Sequence, residues 1–451
     1  MIAGRPHCPW RLWAQRPQRT AKGLLMDHFE YKNGTLHAED VPLEMLAQEV
    51  GTPFYVYSDA TLTRHYEVFV QGFQDAGIKD LLVAFAVKAN SNIAVLKTLA
   101  QLGAGADVVS GGELARALIA GIPPERIVFS GVGKTRAEMA QALKTGIHMI
   151  NVESVPELKI LSEVAESMGL EAPVSLRINP DVDAKTHEKI STGKKENKFG
   201  INIDEAMDAF IIGRDLPGLK MCGVDMHIGS QLTALEPFTT ATDRLLELVA
   251  DLKANGFNIT HLDLGGGLGI PYEKSTMQDG KYPPSPADYA KVIAPRIKDL
   301  DVAIAFEPGR LIAGNAGLLV ASVIFEKTTT HRNFLIVDGA MNDLIRPSLY
   351  DAHHDIVPVR TADDAHLVDV VGPVCETGDI FGKDRQMPRL AEGDLIAIRS
   401  AGAYAAVMAS EYNTRPLVPE VMVKGSQWAL IRRRPSFEEM IARESFASWQ
   451  G

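Results

Sequence analysis

Eight short apolar runs, set between helix-like segments from residue 81 to residue 307, constrain this chain more than any other feature. They are LLVAFAV (81 to 87), ADVVS (106 to 110), RIVFS (126 to 130), HMINV (148 to 152), PVSLRIN (173 to 179), CGVDMHI (222 to 228), HLDLG (261 to 265) and VAIAFE (302 to 307). Between them lie segments such as SGGELARALIAG, TRAEMAQALKTG and SVPELKILSEVAESMG, the last with Ser154 and Glu157 placed to form a capping box. Near-continuous apolar strands alternating with helices read as a parallel sheet covered on its faces. Eight such units match the length and repeat of a (β/α)8 TIM barrel, with an open doubly wound sheet as the alternative. A barrel carries its reactive groups at the C-terminal ends of its strands. The unusual polar residues sit there: Lys88, Asp107, Asn179, His227, Gly265 to Gly267 and Glu307.

Beyond residue 311 the pattern changes to alternating β-type runs broken by turn residues, as in GLLVASVIFEK, NFLIVDG, HLVDVVGPV and DLIAIRS. Residues 28 to 58 have similar character, with Asn33-Gly34 as a hairpin turn. The expected organisation is an extension over 1–26, a segment at 27–58 that joins the β domain, a barrel at 59–310, a mostly β domain at 311–440 and a tail at 441–451. The first 25 residues carry Arg5, Arg11, Arg16, Arg19 and Lys22 with Trp10 and Trp13, and no acid precedes Asp27. That composition suits a transit peptide, but the plainer expectation is a disordered extension, with the fold starting near Met26.

The 451 residues, 46% of them hydrophobic, suffice for a large barrel with an accessory domain. A formal charge of -11 argues against nucleic acid, which needs a dense basic face. Cys8, Cys222 and Cys375 are odd in number and far apart, giving no disulfide framework and no metal-ligand spacing. A reducing, cytoplasmic setting is expected. No apolar stretch approaches the roughly 20 residues of a membrane helix.

Lys88 in FAVKAN ends an apolar strand, where partial desolvation disfavours the ammonium and leaves an amine able to form an imine. A lysine reaching to solvent is the bland reading. The glycine run of LDLGGGLGI follows a strand, so its bare N–H groups can close on a phosphate, although a tight turn explains it equally. EPGR (307 to 310) puts a carboxylate and a guanidinium on one turn, which alone reads as a salt-bridged loop.

These motifs, with ADVVSGGEL, NKFGI, HIGSQ, RPSLY, GPVCETGD and SAGAY, occur in an order that resembles the diaminopimelate decarboxylase branch of the alanine-racemase-like, fold type III pyridoxal-phosphate enzymes. The resemblance runs from about residue 28 into the C-terminal domain. It implies a barrel plus a β domain and pyridoxal 5'-phosphate as cofactor. Lys88 would be the imine lysine and Asp107 its neighbour; His227 would stack on the ring. Ser230 and Gly265, Gly266 and Gly267 would bind the phosphate, with Gly309, Arg310 and Tyr404 also at the cofactor. Glu307 would face the pyridine nitrogen and strengthen the ring as an electron sink, which favours decarboxylation over racemisation.

The resemblance further implies that Arg310, Arg346, Tyr350, Glu376 and Tyr404 contact the substrate. Diaminopimelate has a distal ammonium and carboxylate, which Glu376 and the two arginines suit; ornithine has no distal carboxylate and would leave the arginines unpaired. Cys375 would return a proton to Cα after CO2 leaves, from a loop that reaches the partner's site in an obligate homodimer. Thr377 stands where the family usually has serine, and both carry a hydroxyl. Other readings are a decarboxylase of ornithine, arginine or carboxynorspermidine, and a non-catalytic cofactor-binding regulator. Residues 191–201 form a basic loop that is either a lid or a solvated connection.

Overall fold

The computed structural model describes residues 27–183, 198–273 and 282–450. The expected extension at 1–26 and residues 191–197 of the basic loop lie outside these. All eight apolar runs form strands: β1 Leu81–Ala86, β2 Gly105–Val108, β3 Ile127–Phe129, β4 Met149–Val152, β5 Ala172–Asn179, β6 Leu219–Asp225, β7 His261–Asp263 and β8 Ala303–Phe306. Each pairs in parallel with the next, and β8 closes onto β1 through Ile304 to Leu81. Closure excludes the open doubly wound sheet. It also removes both sheet edges, so every strand is hydrogen-bonded on two sides.

Local chemistry sets the covering helices. The helix Arg136–Thr145 starts at a full capping box of Thr135 with Glu138 and stops at the left-handed Gly146. At the helix Val155–Met168 only half of the expected box forms: Ser154 accepts the Glu157 N–H, but Glu157 turns to the Glu153 N–H at 3.0 Å and to Lys134 at 2.7 Å. A buried ammonium outbids the Ser154 amide because its hydrogen bonds are charge-assisted.

The second domain is mostly β, and the N-terminal segment is part of it. Strand Phe54–Ser58, buried throughout, lies between the long strand Gly317–Thr328 and the strand Glu420–Lys424. A hairpin of Phe29–Lys32 with Thr35–Ala38 turns at Asn33 and Gly34, both with positive φ (51° and 80°), as an Asn-Gly turn of the primed type requires. Phe29, Leu36, Leu43 and Phe54 share a core with Leu318, Val320 and Val421.

The two domains are fastened beside the barrel mouth. The buried Glu420 carboxylate accepts from Tyr57 Oη at 2.5 Å and Asn92 Nδ2 at 2.9 Å and pairs with Arg432 at 3.0 Å. Asn90 donates to the Gly402 carbonyl at 3.0 Å, and the Tyr404 N–H to the Ala89 carbonyl at 2.8 Å. The turn that carries Lys88 is thereby tied to the SAGAY turn of the β domain. No described helix is long and apolar enough to cross a membrane.

Candidate active site

At the C-terminal mouth of the barrel lies a cleft lined by Lys88, His227, Ser230, Gly265 to Gly267, Glu307, Gly309, Arg310 and Tyr404, with Phe69 and Tyr289 at its apolar side. Lys88 sits on the 3-10 turn Val87–Ala89 directly after β1, and Asp107 on the neighbouring β2. Their charged groups meet at 2.6 Å. Burial pulls the Lys88 ammonium toward deprotonation, but the groups around it, Asp107 first by its charge and its hydrogen bond, outweigh this and raise its pKa. The expectation of a neutral amine is therefore corrected: without cofactor, Lys88 is an ammonium. The Lys88 side chain is 36% exposed, whereas the Asp107 side chain is fully buried.

Behind the cleft, β6, β7 and β8 bring Asp225, Asp263 and Glu307 together, all buried, with ligand oxygens within 4.8 Å of one another. Three carboxyls this close and dry do not all ionise. Burial and the mutual repulsion raise Glu307 and Asp225 well above the carboxylate range; burial, partly offset by the Gly265 N–H, lifts Asp263 to about 7. Glu307 Oε1 accepts from Ser130 Oγ and Asn151 Nδ2, both at 3.3 Å. The buried Arg177, ion-paired to Glu153 at 3.0 Å, faces this group, as does Lys88.

The glycine run has a packing reason before any ligand is considered. A Cβ on Gly265, Gly266 or Gly267 would fall 2.2 to 2.3 Å from the carbonyl oxygen of Met226, Glu307 or Gly229. Two of the three amides are engaged: Gly265 donates to Asp263 at 2.9 Å and Gly266 to His227 Nδ1 at 3.2 Å. That contact puts the imidazole proton on Nε2, and burial, aided by Arg177 and Lys88, holds the ring neutral. The cradle presented to a ligand is thus narrower than the sequence suggests, with the Gly267 amide, the Ser230 hydroxyl and Arg310 around it. Arg310 donates to Ser230 Oγ from Nη2 at 3.0 Å and stacks 4.9 Å over the Tyr404 ring.

Beyond the cleft lining, to which Arg346 and Tyr350 do not belong, Arg310 meets a second buried arginine. Arg310 Nη1 and Arg346 Nη2 donate to one oxygen, the hydroxyl of Tyr272, at 2.5 and 3.2 Å. Among the described residues neither guanidinium has a carboxylate partner, although both side chains are buried. Arg346 also lies 5.9 Å over the Tyr350 ring. Burial lowers the Arg346 pKa and the neighbouring Arg310 adds to this, despite the opposing Tyr272. Two desolvated cations aimed at one point are a receptor for an anion.

Cys375 and Glu376 are elsewhere. Their turn is pinned at its base by Asp379, which accepts the Val374 and Met341 amides at 2.7 and 2.6 Å, and both residues are exposed. Glu376 accepts from the Tyr412 hydroxyl, and neither residue lines the cleft of its own chain.

The cleft fits pyridoxal phosphate on its own terms: an amine for the aldehyde, a proton-holding carboxyl for the ring nitrogen, an imidazole face, and a hydroxyl, an amide and a guanidinium for the phosphate. Asp107 Oδ1, fully buried beside Lys88, has no hydrogen-bond partner. Reasoning from sequence did not single out Asp225 and Asp263, although both end barrel strands, where such a signal belongs. Tyr272 and His354 were missed for want of any motif around them.

The family profile described as "Pyridoxal-dependent decarboxylase, pyridoxal binding domain" matches residues 60–314. The chain is 54% identical over 425 residues to a diaminopimelate decarboxylase of Vibrio cholerae, covering 93% of this chain and 99% of that one. It is similar to the crystal structure of diaminopimelate decarboxylase from Helicobacter pylori complexed with L-lysine: TM-score 0.84, 43% identity, 89% and 98% of the two chains covered. The M. jannaschii diaminopimelate decarboxylase in co-complex with L-lysine gives a TM-score of 0.89 at 36% identity, covering 94% of this chain and 99% of that one.

Proposed function

This chain belongs to the pyridoxal-dependent decarboxylases, and on that footing we propose that it converts meso-2,6-diaminopimelate to L-lysine and CO2, the last step of lysine biosynthesis by the diaminopimelate route. The observation that carries the substrate reading is the convergence of Arg310 and Arg346 on the single oxygen of Tyr272, with no carboxylate to neutralise them among the described residues. A distal carboxylate satisfies that pair; ornithine would leave it unpaired at the cost of two buried cations.

Bound pyridoxal phosphate supplies the electron sink for the pair released when the Cα–carboxylate bond breaks. Lys88 would hold the aldehyde carbon, with Asp107 beside it. His227 would lie against the ring and Ser230, Gly267 and Arg310 would take the phosphate, while Gly265 and Gly266 hold the turn and His227 in place. Gly309 keeps the approach to Ala86 and Ala89 open, since a Cβ there would lie 3.0 Å from each of their Cβ atoms. Glu307, its carboxyl pKa raised by burial and by its acidic neighbours, would hold a proton toward the ring nitrogen. Tyr404 and Tyr350 flank the substrate beside Arg310 and Arg346.

Cys375 of the partner subunit would give its thiol proton to Cα after CO2 departs and regain one from solvent, and Glu376 of the partner subunit would meet the distal ammonium. The exposure of this loop, and its distance from the cleft of its own chain, support a homodimer with shared sites. Cys222 and Cys375 are free thiols, which suits the cytoplasm.

Incubation with meso-diaminopimelate and cofactor should release CO2 and L-lysine in equal amounts. Turnover of ornithine with diaminopimelate left untouched would overturn the reading.

A further inference from the structure

Against the Nε of Arg346 stands His354, with no exposed surface. Its Nδ1 lies 2.8 Å from the Arg399 carbonyl, which can only accept, so the ring proton is on Nδ1. Its Nε2 then carries a lone pair and accepts the Nε–H of Arg346 at 3.3 Å. The Arg399 carbonyl is itself fixed: the Arg399 N–H bonds to the Asp355 carbonyl at 2.8 Å, and its side chain pairs with Asp27. Tyr272 packs edge-on against the imidazole, with centroids 5.2 Å apart.

A guanidinium can meet a carboxylate through Nε and Nη2 or through its two terminal nitrogens, and the two modes place the anion differently. With Nε–H committed to His354, only the terminal nitrogens remain for a ligand, and one of these already points to Tyr272. Burial, with Arg346 close by, pulls the His354 pKa to about 3, so the acceptor persists at any working pH.

We propose that His354 is a positioning residue for substrate choice: by taking the Arg346 Nε–H it turns the terminal nitrogens of that guanidinium toward the distal carboxylate of diaminopimelate. The inference rests on the proposed function above and extends it to a residue outside the cleft.

Two variants of the holoenzyme test it. His354→Asn keeps an amide donor near Nδ1 for the Arg399 carbonyl and withdraws the acceptor from Arg346. His354→Gln reaches the place of Nε2 with an amide oxygen. In the Asn variant KM for diaminopimelate should rise about ten-fold, as befits the loss of one hydrogen bond to a charged group, with kcat, cofactor Kd and Tm close to wild type. The Gln variant should recover most of the loss. An Asn variant with unchanged KM, or one whose KM, cofactor Kd and Tm all worsen together, overturns this inference alone. A wild-type enzyme inert toward diaminopimelate overturns the proposed function and this inference with it.

Discussion

The Lys88 ammonium and the Asp107 carboxylate meet at 2.6 Å at the barrel mouth, and the second oxygen of Asp107 is buried without a partner. Asp107 therefore sets the charge of the amine that must react with the cofactor aldehyde, and only the unprotonated amine reacts.

Removing that anion should make attachment easier at low pH. In Asp107→Asn the burial of Lys88 is no longer outweighed and its pKa falls, so the midpoint of covalent cofactor attachment, followed by absorbance, should move to lower pH by about one unit or more. Borohydride reduction of the wild-type holoenzyme followed by peptide mapping should find the cofactor mass on Lys88 alone. An unmoved midpoint would show that Asp107 does not govern the amine.

Glu307→Gln tests the proton at the ring nitrogen. The carboxyl is held protonated beside Asp263 and Asp225, so a neutral isostere should leave Tm unchanged or raise it, while kcat falls by about 10²-fold through loss of an electrostatic contact to developing charge. Retained kcat would remove Glu307 from the chemistry.

Arg346→Ala should weaken diaminopimelate far more than cofactor. The loss of a buried charged partner predicts a fall in kcat/KM of about 10²-fold, with cofactor Kd by spectrophotometric titration near wild type. Equal losses in both would indicate a structural role.

Mixing the inactive variants Lys88→Ala and Cys375→Ala reports on shared sites. If Cys375 serves the partner's cleft, refolding an equal mixture should restore about one quarter of wild-type activity, since half of the dimers are mixed and each has one intact site of two. No recovery would place the thiol and Lys88 in the same chain's site.

His148, pushed down to about 4 by burial and by His261 and Arg126, should shape the acid limb of stability. Its folded pKa lies below the unfolded value, so its contribution is complete above about pH 6.5 and shrinks as pH falls, by about 1.4 kcal/mol per pH unit. The cost of His148→Leu in urea unfolding should therefore diminish by about 2 kcal/mol between about pH 7 and pH 5. A pH-independent cost would mean that folding leaves the imidazole pKa unchanged.

The order of strands and helices, the Asn33-Gly34 hairpin and the placing of Lys88, Asp107, His227 and Glu307 at strand ends were legible in the sequence, because periodicity, capping and turn preferences act over a few residues. The charge state of Lys88 was not. It depends chiefly on Asp107, brought from β2, whose charge and hydrogen bond lead the groups that outweigh the desolvation which the apolar run around Lys88 suggests. Nor could the sequence show that two glycine amides are already spent, that Glu307 shares its site with Asp225 and Asp263, or that His354 stands behind Arg346. Those facts follow from barrel closure and domain docking, which set residues far apart in the chain a few ångströms apart in a dry interior, where Coulomb and hydrogen-bond energies outweigh every local preference.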